Sequence, residues 1–253
     1  IQLIADASDA NTANLIVNYT RGIIRNYSKT LNPAIKMPLR IIPEVRMFYN
    51  ESLKGVYMFV PGILAMILIL ISAMMTSITI AREKEMGTME VILVSPLKPV
   101  QIVLGKVAPY FLLSFINAIV LLALGYFVFN MPVNGSLALL MAETMLYILL
   151  SLSLGIFIST LAKTQQIAMF ISMFALMLPT ILLSGFIFPV ENMPVILQLI
   201  AKLMPPKYFI TIIKNIMIKG TGFLYVWEET LILLAITSFF IIMSVRKFKI
   251  RLE

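Results

Sequence analysis

The stretch "AREKEMGTMEVILVSPLK", Ala81 to Lys98, lies between two long runs without a charged residue. Residues 55–81 before it carry no Asp, Glu, Lys or Arg, and neither do residues 107–142 after it. One charge at the middle of a bilayer costs about 2.5–3.5 kcal/mol on insertion scales. Charges therefore mark where membrane spans stop, and this stretch separates two of them.

Composition supports the bilayer reading. The 253 residues are 60% hydrophobic and 13% charged, with a mean hydropathy of +0.97. A soluble domain carries about 25% charged residues. Further uncharged runs cover 144–162, 164–190 and 230–245. The 107–142 run contains "FNMPVNGS", whose Pro132, Asn134 and Gly135 read as a turn. These boundaries predict five spans, over about 56–80, 106–129, 138–161, 165–188 and 227–246. The chain has no cysteine and no histidine, which excludes disulfide frameworks, thiolate nucleophiles, imidazole bases and His or Cys metal sites. The net charge of +8 is read as loop Lys and Arg that set topology, so no nucleic-acid partner is expected.

Short loops carry the orientation signal. Arg82, Lys84, Lys98 and Lys106 surround the charged stretch, Lys163 sits in the next turn of that side, and the tail reads "RKFKIR" from Arg246 to Arg251. The 130–137 turn has no base. The positive-inside rule then places 81–106, the Lys163 turn and the C-terminus in the cytoplasm. Residues 1–55, 130–137 and 189–226 fall outside. An external start at Ile1, without Met or signal peptide, reads as a fragment whose upstream part holds at least one more span.

Residues 1–50 read as the C-terminal part of a small external α/β domain. "IQLIA" is strand-like, Asp9 is the expected N-cap of a helix, and "LRIIP" and "EVRMFYN" are short strand candidates. Ala13, Ile16, Tyr19 or Thr20, Ile23 and Tyr27 form one stripe at helical spacing. The two Asp of "DASDANTA" lack a full cation ligand set, so capping is their expected role. Residues 51–253 form the membrane domain.

External residues 189–226 hold more helix, with Pro206 at a start and Gly220 past an end. Lys207, Thr211, Lys214 and Asn215 share one face; Phe209, Ile212, Ile213, Ile216 and Met217 share the other. That pattern predicts interfacial or re-entrant helices within 189–222. Polar residues inside the spans are few: Ser114 and Asn117 in the second, Ser151 and Ser153 in the third, Ser172 in the fourth. Helix packing is their first reading. Substrate contact is the second, for which Ser114, Asn117 and Ser172 are the candidates. Pro61-Gly62 and Pro179 are expected to loosen their helices, and Glu143 reads as an interfacial group or a helix N-terminal carboxylate.

The charged stretch itself predicts a helix over 82–94, closed by Ser95-Pro96 and interrupted in propensity only by Gly87. Met86, Met89 or Glu90, and Leu93 form a modest apolar ridge. Glu83, Glu85 and Glu90 balance Arg82 and Lys84, which favours a protein groove over a lipid surface.

These residues resemble the cytoplasmic coupling segment of the type-2 ATP-binding-cassette (ABC) exporter permeases, bacterial multidrug-export-like branch. The pattern is "AREKEMGTMEVILVSPLKPVQIVLGK", with Ser95 in place of the commoner Thr. "MFYNESLKGVYMFVPG" (47–62), "GIFISTLAKTQQIAM" (155–169) and "LSGFIFPVENMP" (183–194) followed by "MPPKYFITIIKNIMIKG" are similar to further segments of that branch. Ala7 stands where the branch more often has Gly. The resemblance implies an all-α polytopic permease of six spans, five of them here, in the bacterial inner membrane. Its implied ATPase-coupling residues are Arg82, Glu83, Lys84, Glu85, Met86, Gly87, Thr88, Met89, Glu90, Leu93 and Pro96. Its implied external re-entrant motif comprises Ser184, Gly185, Phe188, Pro189, Met193, Pro194, Pro205, Tyr208 and Phe209.

The resemblance also implies partners: cytoplasmic ABC ATPase subunits, a second permease copy of the same or a related chain, membrane lipids and a periplasmic adaptor. No cofactor is expected on the chain, since ATP and Mg belong to the ATPase; the sequence has no G-x-x-x-x-G-K-[ST]. Hydrophobic or amphipathic, drug-like or lipid-like substrates are the expectation, exported without enzymatic activity of this chain. An ion-coupled transporter or channel would need buried ionisable groups, of which Glu143 is the one offered. An intramembrane enzyme would need a nucleophile and base, for which Lys163 is poorly placed.

Overall fold

The computed structural model describes residues 2–6, 8–31, 44–88 and 99–249. The chain divides into two units, 1–59 and 60–253.

In the first unit, β1 (Gln2–Asp6) and β2 (Glu44–Phe48) pair in parallel, with Gln2 opposite Glu44 and Asp6 opposite Phe48. Helix α1 (Ala10–Leu31) lies between them in sequence. Asp9 caps it, its Oδ1 accepting from Thr12 N at 3.3 Å and its carbonyl from Ala13 N at 3.0 Å. The buried face of α1 meets the expected stripe only at Ala13 and at Thr20, which is half-buried. Ala13 and Val17 are buried, whereas Ile16, Tyr19, Ile23 and Tyr27 are exposed. Small side chains let the backbone approach its neighbour, and the bulky residues fall on the next stripe round. Of the two further strand candidates, β2 coincides with "EVRMF", and "LRIIP" lies outside the described residues.

The second unit is helical. Among the described residues, five helices are long and apolar enough to cross a membrane. They are α2 (Val56–Glu85), α3 (Pro99–Phe127, apolar from Leu104), α4 (Leu137–Leu161), the composite Gln165–Leu183 and α9 (Trp227–Lys249). Each of the five expected spans corresponds to one of these helices, although α2 runs on through Arg82 to Glu85 and the fourth ends at Leu183 and not near 188. The composite consists of α5 (Gln165–Ser172), a π-helical stretch (Met173–Met177) and α6 (Leu178–Leu183). Pro179 cannot donate to Ala175, and its ring crowds that carbonyl; the wider π turn accommodates both.

Helix α2 contributes an unusually regular face. Leu64 and Ala65, Leu68 and Ile69, Ser72 and Ala73, Thr76 and Ser77, and Ile80 and Ala81 are all buried. A pair every four residues is the i±4 ridge that packs into neighbouring grooves. Against it lies Gly155 of α4, where an added Cβ would stand 2.5 Å from the Ala73 carbonyl oxygen. Tyr147 of α4 donates to the Ala65 carbonyl at 3.1 Å.

Between Leu183 and Trp227 the chain forms a series of short helices. Gly185, at φ +76°, ends α6 in the left-handed conformation that glycine favours. Helix α7 (Val195–Ala201) and then α8 (Pro205–Ile213) with its π-helical continuation Lys214–Ile218 form a pair bent by 77°. The amphipathic division of α8 is as the sequence indicates, with Phe209, Ile212, Ile213, Ile216 and Met217 buried and Lys207, Thr211, Lys214 and Asn215 half-buried. Protein covers the apolar face: α8 packs on α4 and α9, and Phe209 stacks on Tyr147 with ring centroids 3.9 Å apart. The 130–136 turn fastens the far end, since Asn134 N donates to Met217 O at 3.0 Å and Asn134 Nδ2 to Ile218 O at 2.9 Å.

Candidate functional site

The charged stretch is the end of α2, continued beyond the apolar span. The helix persists through Glu85 because Arg82 to Glu85 are good helix formers. It stops at Met86-Gly87, where Gly87 adopts φ +73°. The expected single helix over 82–94 is therefore divided at Gly87; Met89, Glu90, Leu93 and Pro96 lie outside the described residues.

Three consecutive side chains before that break each reach a different helix. Glu83 pairs with Lys106 of α3, both side chains partly buried. Lys84 Nζ donates to the carbonyl of Ser159, in the last turn of α4. Glu85 Oε2 accepts from Gln165 N at 3.0 Å and from Gln165 Nε2 at 3.2 Å, at the first residue of α5. The electrostatics are complementary throughout. A helix C-terminus leaves carbonyls to be satisfied and attracts a base, while a helix N-terminus leaves N–H groups and attracts an acid. Lys84 and Glu85 thus straddle the short α4–α5 turn, one on each dipole end. Ala81, Ala162 and Ala168 close the contact beneath them with small, buried side chains. Arg82, Met86, Gly87 and Thr88 are exposed, Met86 at 63%.

Lys106, Ser159 and Gln165 were not singled out by the sequence as members of this site. Lys106 offers a signal, being a base two turns into an otherwise uncharged helix, which calls for a counter-charge. Ser159 acts through its backbone carbonyl and Gln165 partly through its backbone N–H, groups that leave no mark in a residue pattern.

Some polar residues within the spans are mutual partners, whereas Ser151 and Ser153 donate to carbonyls of their own helix, Tyr147 O and Leu150 O. Ser72 of α2 donates to Ser114 of α3 at 2.8 Å, Thr79 and Tyr110 meet at 2.7 Å, and Ser77 and Ser172 at 2.8 Å. Ser114 and Ser172 are thus buried interhelical contacts, while Asn117 is half-buried. None of these three lines the apolar recess of about 530 Å³ at the end of α3 and α4, formed by Leu122, Tyr126, Val133, Leu137, Leu140 and Met141 among others. Glu143 is buried and its Oε1 accepts from Thr230 of α9 at 2.8 Å, tying α4 to α9.

Residues of the external motif divide between packing and surface. Ser184 is buried and donates to Thr180 O, Pro205 and Phe209 are buried, and Tyr208 donates to Lys202 O at 2.6 Å. Phe188 and Pro194 are exposed, Met193 is half-buried, and Pro189 precedes a short 3-10 turn at Val190–Asn192.

The model of the ABC-2 family transporter proteins matches residues 1–246. "Probable multidrug ABC transporter permease YbhR" of Escherichia coli strain K12 is 39% identical over 238 residues, covering 94% of this chain and 64% of that protein. "Probable multidrug ABC transporter permease YbhS" of the same strain is 30% identical over 261 residues, covering 100% and 68%. "Inner membrane transport permease YhhJ", also of that strain, is 28% identical, covering 93% and 62%. The chain spans about two thirds of the length of these relatives. No solved structure matches it. With five membrane-length helices among the described residues and a family match along nearly all of its length, the chain belongs to the ABC-2 family of transporter proteins.

Proposed function

We propose that this chain is the membrane-spanning part of an exporter permease driven by separate ABC ATPase subunits. The observation that carries the reading is the polar anchoring of the end of α2. A force applied to the chain beyond Gly87 arrives at Glu85 and passes directly to α3, α4 and α5 through the Glu83, Lys84 and Glu85 contacts. An element serving only as a loop would have no need of such connections. The names of the related permeases, which include the word multidrug, support hydrophobic or amphipathic substrates.

In this reading the charged segment and the C-terminus face the cytoplasm, residues 1–50 and the bent α7–α8 pair face outward, and the pair is re-entrant. ATP and Mg reside on the ATPase. A second permease copy completes the translocation path, and an adaptor serves export across two membranes.

The test uses the full-length protein co-expressed with its ATPase in inverted membrane vesicles. ATP-dependent uptake of a lipophilic cationic dye is the expected result, abolished when the ATPase carries a hydrolysis-dead substitution. Uptake that ignores ATP but follows an imposed ion gradient would replace this reading with an ion-coupled transporter.

A further inference from the structure

We propose that Glu83, Lys84 and Glu85 form an internal latch that holds the ends of α2, α3, α4 and α5 in one packing, and that they position the permease without being docking contacts. The inference rests on the exporter reading above and assigns the charged stretch two separate tasks. The exposed Arg82, Met86 and Thr88 remain to meet the ATPase. The three charges before Gly87 hold the permease's own helices.

Geometry separates the tasks. The carboxylate of Glu83 faces Lys106 in a partly buried pair. The ammonium of Lys84 faces Ser159 O, and the carboxylate of Glu85 faces Gln165 N. Glu83 and Lys84 are half-buried and directed to groups of opposite polarity on other helices, so a partner protein would have to displace those groups to use them; Glu85 is exposed and holds Gln165 at the surface. Breaking a partly buried pair by removing or reversing one member costs more than the pair contributes in water, because the other charge stays behind. A latch of this kind resists separation of the four helix ends until another force opens it.

Charge reversal distinguishes the latch from docking. In the full-length permease co-expressed with its ATPase, Glu83→Lys and Lys106→Glu are each made alone and then together. For either single variant, recovery of ATPase on the affinity-purified permease should equal wild type, while ATP-driven dye transport falls about tenfold, within the usual range of coupling between sites. The double variant restores opposite charges and should transport within about twofold of wild type. Single variants that lose the ATPase, with no recovery in the double, would make Glu83 a docking contact and overturn the latch.

Thermal unfolding of the purified permease in detergent supplies a readout independent of transport. Each single reversal should lower Tm and the double should regain it; strictly additive losses would overturn the latch even if export proved not to be ATP-driven. Glu83→Gln and Lys106→Gln complete the same cycle where a reversal prevents insertion.

Discussion

Gly87 shows how much one backbone angle can decide. At φ +73° it ends α2 and sets the direction in which the chain leaves. A side chain in this region costs about 1–2 kcal/mol, less for Asn. Proline is confined to φ near −65°. Gly87→Asn should therefore retain ATP-driven dye transport, and Gly87→Pro should lose it while inserting normally, as membrane-fraction yield would show. Equal transport by the two variants would dismiss the exit angle as important. Thr230 presents a different limit. Its hydroxyl has one proton but two acceptors at 2.8 Å, Val226 O and Glu143 Oε1, and Glu143 Oε2 has no hydrogen-bond partner among the described residues. An amide at 143 adds N–H donors. Glu143→Gln is expected to keep or raise Tm, whereas Thr230→Val should cost about 1–3 kcal/mol by stranding the buried carboxylate. A stable Thr230→Val together with an unstable Glu143→Gln would reverse that account.

At the level of elements, the close approach of α2 and α4 depends on Gly155. A Cβ there would lie 2.5 Å from Ala73 O and 2.9 Å from Ala73 Cα. Gly155→Ala should destabilise the bundle by about 1–3 kcal/mol, read as a fall in Tm, with Ser153→Ala as a mild control; an unchanged Tm would mean that the helices part freely. The spans were legible because charges are excluded from lipid, and the amphipathic division of α8 because its period matches a helix. What covers the apolar face of α8 was not legible. Lipid and protein interior are equally apolar, so Ile212 and Ile216 look the same against either. In α1 the size of an apolar side chain was no guide to burial, since Ala13 and Val17 are buried and the larger Tyr19 and Tyr27 are exposed. Within the candidate site, the dense charge from Arg82 to Glu85 was legible. Their intramolecular partners were not, being distant in sequence and in part backbone groups.

For the whole molecule, orientation is the property most open to direct measurement. The chain has no cysteine, so a single introduced thiol reports one position. Leu224→Cys, at an 83% exposed site, should react with a membrane-impermeant maleimide on intact spheroplasts, and Lys163→Cys only after permeabilisation. The opposite pattern would invert the proposed topology. One asymmetry in the bundle has a consequence for the history of such sequences. Two thirds of the apolar window of α4 is buried within the chain, against about a fifth for α3, Gln165–Leu183 and α9. The outer helices can exchange Leu, Ile, Phe and Met with little penalty, since lipid conforms to any of them. Helix α4 is enclosed by fixed neighbours and carries Glu143, Tyr147 and Gly155 along its length. Substitutions should therefore accumulate slowest in α4, and a saturation-mutagenesis scan scored for membrane yield should show it as the least tolerant span.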